Sequence, residues 1–302
     1  MPPLQMETYL GQYRALARSQ PNSARAATWA PTTATLVSGA RDAVLIDAMM
    51  TVAEATDLTE WITATGKRLT HVIITTGHAD HFYGLGHVLA AFPEAVPVAV
   101  PAVARQAQVQ AGREMHRHWA SLFPEQLVAH PAAPRAFAGP IVRLEDHELH
   151  LFDLGSIVGR PTSVVSVRAL DAIIGGDLVY NMVHPWLLGS DRRSRREWWR
   201  ALDLVEALRP AWVVASHRDP GATTDRAEAL LRTMRRYLTD FDRAQSVAQS
   251  AEELTQYVAG RHPGMGNLST LQASAISQFS GWRDRLPHPD FPDVFPKAPS
   301  SG

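Results

Sequence analysis

The chain contains no cysteine, and it also lacks other features that would point to particular classes of protein. Without thiols, disulfide bonds and thiolate ligands are excluded, so any metal must be bound by histidine and carboxylate side chains. No apolar run reaches the length of about 18 residues that a membrane-spanning helix needs. The N-terminus has no basic segment followed by an apolar one, so we expect no signal peptide and a cytoplasmic location.

The chain also has almost no excess of charge of one sign, because its net charge is −1 over 302 residues. This balance gives no electrostatic reason to expect binding to nucleic acid or to an anionic membrane. No glycine-rich phosphate loop follows a predicted strand, and no Gly-x-Ser-x-Gly sequence is present, which disfavours a nucleotide cofactor and a serine hydrolase. The expected partner is a small-molecule substrate, and the oligomeric state is left open.

Strands and helices alternate in two successive halves of the chain. Short apolar strands bounded by turn residues are separated by segments with helical spacing, such as 53–65 and 195–208. This order predicts an α/β fold, a four-layer αββα sandwich. From Thr224 onward the pattern is helical. We expect residues 1–223 to form the αββα domain, 224–285 a helical extension of that domain, and 286–302 a proline-rich tail.

The most informative stretch is Thr75-Thr76-Gly77-His78-Ala79-Asp80-His81, which follows the apolar run Val72-Ile73-Ile74. The apolar run predicts a buried strand. Two imidazoles and a carboxylate lie within four positions at the end of that strand. Side chains of these types can hold one divalent metal at the edge between a strand and a loop.

Two later residues follow apolar strands in the same way. Asp177 comes after Gly175-Gly176, which allow the sharp turn that brings a carboxylate toward a ligand. His217 ends the apolar run 212–215. Taken alone, Asp177 has a simpler interpretation as a turn aspartate, and His217 has one as a structural histidine. The order of all these elements favours a single metal-binding constellation.

The pattern resembles the metallo-β-lactamase superfamily, whose signature is His-x-His-x-Asp-His after an apolar strand. The resemblance covers roughly residues 34–220 and implies the αββα fold and a metal-dependent hydrolase. Asp80, His81 and His217 match the three ligands of the second metal site of that family. Asp177 matches the carboxylate that bridges the two metals, and His78 matches one ligand of the first site.

Two ligands of the first site differ from the family pattern. Thr76 stands where a histidine is expected. The third histidine should follow the strand predicted at 150–153, and Ser156 is the residue that aligns with it best. Because hydroxyls bind zinc weakly beside imidazole or carboxylate, we expect one metal rather than two. Zinc is the expected metal, with iron and manganese as alternatives.

A water activated at this single site would hydrolyse a small ester, lactone or amide. His78 is the candidate general base or hydrogen-bond donor, and Asp80 and Asp177 are candidates for orienting the water. A non-hydrolytic enzyme of specialised metabolism (a lyase, isomerase or oxygenase) and a non-catalytic binder are the alternatives. The residues predicted to contact the substrate are Thr76, Ser156, Tyr180, Asn181 and His184.

Overall fold

A computed structural model describes residues 3–20, 23 and 25–279 of the chain. The described strands are β1 (Gln5–Leu10), β2 (Arg14–Ser19), β3 (Ala26–Trp29), β4 (Thr33–Ser38), β5 (Asp42–Ile46), β6 (Arg68–Ile73), β7 (Val96–Ala99), β8 (Arg135–Ala136), β9 (Ile141–Leu144), β10 (His147–Ile157), β11 (Arg160–Val167), β12 (Ala172–Ile174), β13 (Tyr180–Asn181), β14 (Trp212–Val214) and β15 (His217–Arg218). The described α-helices are α1 (Val52–Ala64), α2 (Ala79–Phe82), α3 (Leu85–Ala91), α4 (Pro101–Gln110), α5 (Arg113–Leu122), α6 (Arg192–Ala207), α7 (Ala227–Val247), α8 (Ala251–Arg261) and α9 (Leu268–Phe279).

The larger strands form two sheets. The first has the order β1-β4-β5-β6-β7-β8, and the second has the order β14-β12-β11-β10-β9. Strands β5 to β8 run parallel, whereas β9 to β12 are joined as antiparallel neighbours. One core cluster contains buried residues from both sheets and from the helices. The α/β architecture predicted from the sequence is confirmed.

Local sequence explains several of the element boundaries. Strands β4 and β5 are buried throughout, and their apolar centres (Leu36-Val37 and Val44-Leu45-Ile46) are typical of strands inside a layered fold. Helix α1 begins at Thr51, which forms a capping box with Glu54, and its end is followed by Gly66 at a φ of 66°. Helices α2 and α3 are separated at Tyr83-Gly84, and a side chain at Gly84 would overlap the carbonyl oxygen of Ala48.

Three strands precede residue 33 and were not predicted from the sequence. Strand β1 lies at the edge of the first sheet, and β2 pairs with β3. Strand β10 is longer than expected and continues to Ile157, where a two-residue turn leads to Arg160 at the start of β11. Both differences affect the residues that surround the candidate site.

Helices α7, α8 and α9 form the predicted helical extension as far as it is described. Ser250 caps α8 by accepting a hydrogen bond from the backbone N–H of Glu253. The end of the predicted extension (280–285) and the predicted proline-rich tail (286–302) lie outside the described residues. Within the described ranges, no helix combines the length and the apolar character that crossing a membrane requires.

Candidate metal centre

One carboxylate and two imidazoles converge beyond the end of β6. Asp80, His81 and His217 each offer one ligand atom, and these atoms lie within 4.8 Å of one another. All three side chains are buried. Asp80 and His81 lie in the first turn of α2, whereas His217 is the first residue of β15. Residues far apart in the sequence therefore form one compact group of metal-ligand type.

Parallel pairing of short strands brings Asp177 beside His217. Strand β12 pairs with β14, and Tyr180 of β13 pairs with His217 of β15. The connections after β12 and β14 therefore run side by side, and Ser216 Oγ donates a 3.1 Å hydrogen bond to Asp177 Oδ1. Gly176 has a φ of 45° and leaves no room for a side chain, since a Cβ would lie 2.9 Å from the carbonyl oxygen of Ser163. The expectation that this Gly-Gly pair aims Asp177 into the site agrees with this geometry.

The separations between these side chains suit a bound metal. Asp177 Oδ1 lies 3.4 Å from His81 Nε2 and 3.5 Å from His217 Nε2, and Asp80 Oδ2 lies 3.3 Å from His217 Nε2. Charge-assisted hydrogen bonds are shorter, about 2.7–2.9 Å. Two ligands at about 2.0–2.1 Å from a tetrahedral zinc are themselves about 3.3 Å apart. The donor set and its spacing therefore fit a divalent metal.

Asp47 fixes the orientation of His81. Its Oδ2 lies 2.9 Å from His81 Nδ1, and its two oxygens also accept hydrogen bonds from the backbone N–H and hydroxyl of Thr75. A carboxylate that already accepts from Thr75 favours the imidazole tautomer with the proton on Nδ1. His81 Nε2 is buried and has no hydrogen-bond partner among the described residues. This unpaired nitrogen is left to act as a metal ligand.

Asp80 is held by donors on both of its oxygens. His78 Nδ1 lies 2.6 Å from Oδ1, and Trp29 Nε1 donates a 3.1 Å hydrogen bond to Oδ2. Burial opposes ionisation of Asp80. The charges of His81 and His78 and the hydrogen bonds from His217 and His78 outweigh burial and hold the pKa of Asp80 well below its usual value. Asp80 is therefore an ionised carboxylate suited to a cation.

The same balance acts on the other members of the group. Burial favours the neutral form of Asp177, but His81, His217 and Arg160 together keep its pKa well below the usual value. Burial also lowers the pKa of His217, yet the hydrogen bonds and charges of Asp177 and Asp80 raise it to about 9. With protein charges alone, protons thus occupy positions between the carboxylates that a metal would take.

The first-site residues of the family pattern have different surroundings. Thr76 is fully buried, its Oγ1 has no hydrogen-bond partner among the described residues, and its backbone forms an isolated bridge with Thr162. The ring of His78 packs edge-on against Trp119 at 4.8 Å between centroids and stacks on Trp29. His78 therefore contacts Asp80 from within an aromatic cluster. Its predicted catalytic role stays a prediction.

Ser156 is not beside the cluster, in contrast to the alignment made from the sequence. It is half-buried and pairs with Pro161 across β10 and β11. Arg160, the first residue of β11, is instead 5% exposed, and its Nη1 lies 3.7 Å from Asp177 Oδ2. The reason is the length of β10, since the turn falls at Val158-Gly159 rather than directly after the predicted strand. Arg160, rather than Ser156, therefore lies beside the carboxylate of Asp177.

A narrow pocket opens onto Asp80 and His217. Two of the predicted substrate-binding residues, Tyr180 and His184, contribute to its wall, whereas Asn181 turns away and donates to Thr224 and Asp225. Burial lowers the pKa of His184 to about 4, with His262 adding to the shift, so His184 is neutral at physiological pH. Every lining residue is less than 8% exposed, which restricts the pocket to a small group. The lining residues are Trp29, Ala30, Asp80, Arg160, Tyr180, His184, Trp186, His217, Asn267 and Thr270.

Several of these residues were not identified from the sequence. Asp47 carries a detectable signal, because it directly follows the apolar strand Val44-Leu45-Ile46, as Asp177 follows its own strand. Trp29 lies in an unpredicted strand, and Asn267 and Thr270 come from the start of α9. No local motif distinguishes these three residues. The helical extension therefore contributes to the pocket wall as well as to the core.

Comparison with known proteins agrees with this architecture. The family model described as the metallo-beta-lactamase superfamily matches residues 27–217. A metallo-beta-lactamase family protein from Thermus thermophilus is similar in structure, with 16% identity over 91% of this chain and 94% of that chain and a TM-score of 0.57. A metallo-beta-lactamase from Pontibacter korlensis shows 17% identity over 78% of this chain and 100% of that chain, also with a TM-score of 0.57.

The metallo-beta-lactamase FIM-1 from Pseudomonas aeruginosa, in its mono-zinc form, shows 18% identity over 78% of this chain and 92% of that chain, with a TM-score of 0.52. A search of the curated proteins finds no match. The structural likenesses are low in identity and support the fold, whereas the family model matches well over half of the chain. The chain belongs to the metallo-beta-lactamase superfamily.

Proposed function

We propose that the protein is a metal-dependent hydrolase of a small ester, lactone or amide, with one zinc ion held by Asp80, His81, His217 and Asp177. The observation that carries the proposal is the convergence of three buried ligand atoms within 4.8 Å. The distances from Asp177 Oδ1 to the Nε2 atoms of His81 and His217 match the separation of two ligands of a tetrahedral zinc better than the length of a hydrogen bond. Iron or manganese could be bound by the same donors.

A divalent metal bound there would lower the pKa of a coordinated water and supply a nucleophile near neutral pH. The protein's own groups then orient that water. Asp177 Oδ1 and Asp80 Oδ2 both lie near His217 Nε2 and are ionised, so they can orient the water by accepting hydrogen bonds from it. His78 holds Asp80 by a 2.6 Å contact and is a positioning residue in this scheme.

Metal content per chain tests the proposal first. We expect wild-type protein to contain one zinc and His217→Ala to contain none, measured by mass spectrometry of metals on tag-free protein. His150→Ala is the matched control, since His150 is a partly exposed histidine of β10 that pairs with Glu148. It should keep the wild-type content.

Hydrolysis is tested next with a panel of small esters, lactones and amides. We expect turnover by wild type and by His150→Ala, and loss of turnover in His217→Ala. Wild-type protein without any metal, prepared in zinc-supplemented medium, would contradict the proposal. A metal-loaded protein that hydrolyses no member of the panel would contradict the reaction class only.

A non-hydrolytic reaction is the second candidate, and the replacement of a first-site histidine by Arg160 favours it. In the two-metal members the first metal helps to polarise the substrate, and a guanidinium supplies charge without a coordination position. Elimination or isomerisation of an anionic substrate would use such a charge. Oxygen-dependent turnover with Fe(II) would identify an oxygenase instead.

The cytoplasmic location also stays a prediction.

A further inference from the structure

We propose that the Arg160 guanidinium replaces the first metal of the superfamily and binds an anionic oxygen of the substrate, in the first instance a carboxylate. This inference deepens the proposed function and rests on it for the identity of the reacting site. It assigns the substrate class as a small molecule that carries a carboxylate next to the reacting group.

Arg160 is buried at the pocket, and Asp177 is its nearest carboxylate. It is 5% exposed and lines the pocket, and its guanidinium makes no hydrogen bond to any described residue. Its nearest carboxylate oxygen, Asp177 Oδ2, lies at 3.7 Å, beyond hydrogen-bond distance. A guanidinium in a buried pocket that makes no close hydrogen bond is disfavoured unless a ligand supplies acceptors.

Asp177 lies between the two histidines of the metal-ligand group and Arg160. Its Oδ1 faces His81 and His217 at 3.4 and 3.5 Å, on the side of the metal ligands. Its Oδ2 faces Arg160. The family's carboxylate bridges two metals, and here the corresponding residue lies between the metal ligands and a guanidinium. The fixed positive charge of Arg160 thus occupies the first-metal side.

A tight turn and an aromatic contact hold Arg160 in place. The turn Val158-Gly159 has positive φ at both residues, 50° and 78°, which is the two-residue turn that joins antiparallel strands tightly. The guanidinium also lies over the indole of Trp186, with Cζ 5.5 Å from the ring centroid. Cation–π contact keeps the plane of the fork available for two parallel hydrogen bonds to a carboxylate.

Binding of acetate tests the assignment, with acetamide as its neutral isostere. Both are titrated into zinc-loaded wild-type protein and Arg160→Gln, and binding is followed by tryptophan fluorescence, because Trp186 lies beside the guanidinium. We expect acetate to bind wild type. Its affinity for Arg160→Gln should be lower by about tenfold or more. Acetamide should bind neither protein measurably, and the zinc content of the variant should equal that of wild type.

The matched control is Arg226→Gln. Arg226 also lies over a tryptophan, Trp212, with Cζ 4.2 Å from the centroid, but it is exposed and outside the pocket. We expect this variant to bind acetate as wild type does. Equal acetate affinity in wild type and Arg160→Gln would overturn the inference, since acetate would then be bound by the metal or elsewhere.

Arg160→Lys covers the case in which Arg160→Gln does not fold. Lysine keeps the charge but loses the bidentate fork, so its acetate affinity should fall measurably below that of wild type. An unchanged affinity would overturn the assignment of a fork-shaped carboxylate site. Failure of the proposed function is distinguishable, because it is read from zinc content and turnover. Acetate binding that depends on Arg160 is read from fluorescence, so its loss is recorded separately from a loss of zinc or of turnover.

Discussion

The two sides of the candidate centre differ in the kinds of side chain that they bring together. On the second-site side, Asp80, His81, His217 and Asp177 form a dense set in which each carboxylate is shared by several donors. On the first-site side, Thr76 Oγ1 and His78 Nε2 are buried without hydrogen-bond partners among the described residues. The contrast teaches that the side chains of metal-ligand type are gathered on one side, whereas the charge balance of the shared carboxylate, Asp177, depends on both sides.

Arg160 explains how that balance is retained. A bridging carboxylate buried beside only one metal would lose part of its stabilisation, since burial of a charge needs a compensating partner. The guanidinium supplies a permanent positive charge that needs no ligands of its own. A guanidinium cannot polarise a substrate by coordination, so under the proposal the two sides would have separate tasks: one would hold the metal, and the other would present hydrogen-bond donors.

The largest expected effect comes from rebuilding the first-site side. We expect the double variant Thr76→His with Arg160→His to bind two zinc ions per chain instead of one, because it restores two imidazoles beside His78 and Asp177. The bridge between Thr76 and Thr162 places the two substituted positions near each other. Metal content measured by mass spectrometry gives the result directly.

Thr76→His with Ser156→His is the matched control for this experiment. It restores the ligands in the alignment that sequence alone suggested, and it should still bind one zinc because Ser156 is half-buried in the β10–β11 hairpin. A second zinc in the control but not in the Arg160 variant would show that the sequence alignment, and not the tertiary placement, is correct.

A smaller effect is expected from the residue that orients His81. Asp47→Asn should weaken zinc binding by about 10- to 100-fold, the usual effect of losing a carboxylate behind a ligating histidine. Asparagine tolerates the φ of 62° at this position, so the backbone should be preserved. Affinity is measured by competition with a chromophoric chelator.

Asp42→Asn is the control, because Asp42 lies at the opposite end of β5 and pairs with Arg68. Its zinc affinity should match wild type. If Asp47→Asn and Asp42→Asn bind zinc equally well, the contact between Asp47 and His81 has no part in holding the metal.

The smallest effect concerns pH and the free energy of unfolding of chelator-treated protein. Burial favours neutral His217, but Asp177 and Asp80 raise its pKa to about 9. Protonation of a group with a raised pKa stabilises the folded state. This contribution is complete when the pH is below the pKa of the unfolded state, near 6.5, and it is lost as the pH rises through about 9. Urea denaturation should therefore show a loss of up to about 3 kcal/mol between pH 6 and pH 9.5.

Zinc-loaded protein should lose less stability over this range, because the metal takes the place of the proton on the second-site side. His217→Ala should show a flatter pH dependence than wild type after the same chelator treatment. Identical pH dependence in wild type and His217→Ala would mean that the pairing of His217 with Asp80 and Asp177 does not contribute to stability.

Much of the fold was accessible from local patterns. The apolar run Val72-Ile73-Ile74 predicted a buried strand, and its first two residues lie in β6 with Ile74 directly beyond it. The capping residues Thr51 and Ser250 act within one helical turn, so their sequence signal is strong. The strands before residue 33 were missed because their mixed polar composition lacks a clean alternation.

The candidate site divides in the same way. His78, Asp80 and His81 are neighbours in the sequence, and Asp177 and His217 each follow an apolar strand, so their chemical type and position at strand ends marked them. Arg160 had no such signal, since one arginine after a turn is usually solvated. Its role depends on where β10 ends, and a strand boundary is the least certain feature of a sequence-based prediction.

The sequence by itself determined which side chains stand at the ends of buried strands, because the strand signal and the ligand types are both local. Only the tertiary structure decided which residue faces Asp177 from the first-site side. Pairing of Thr76 with Thr162 joins segments that are distant in the sequence, and the two-residue turn then sets Arg160 rather than Ser156 beside the carboxylate. A register shift of a few residues along one strand changes which side chain enters a site, and that register is fixed by contacts between strands.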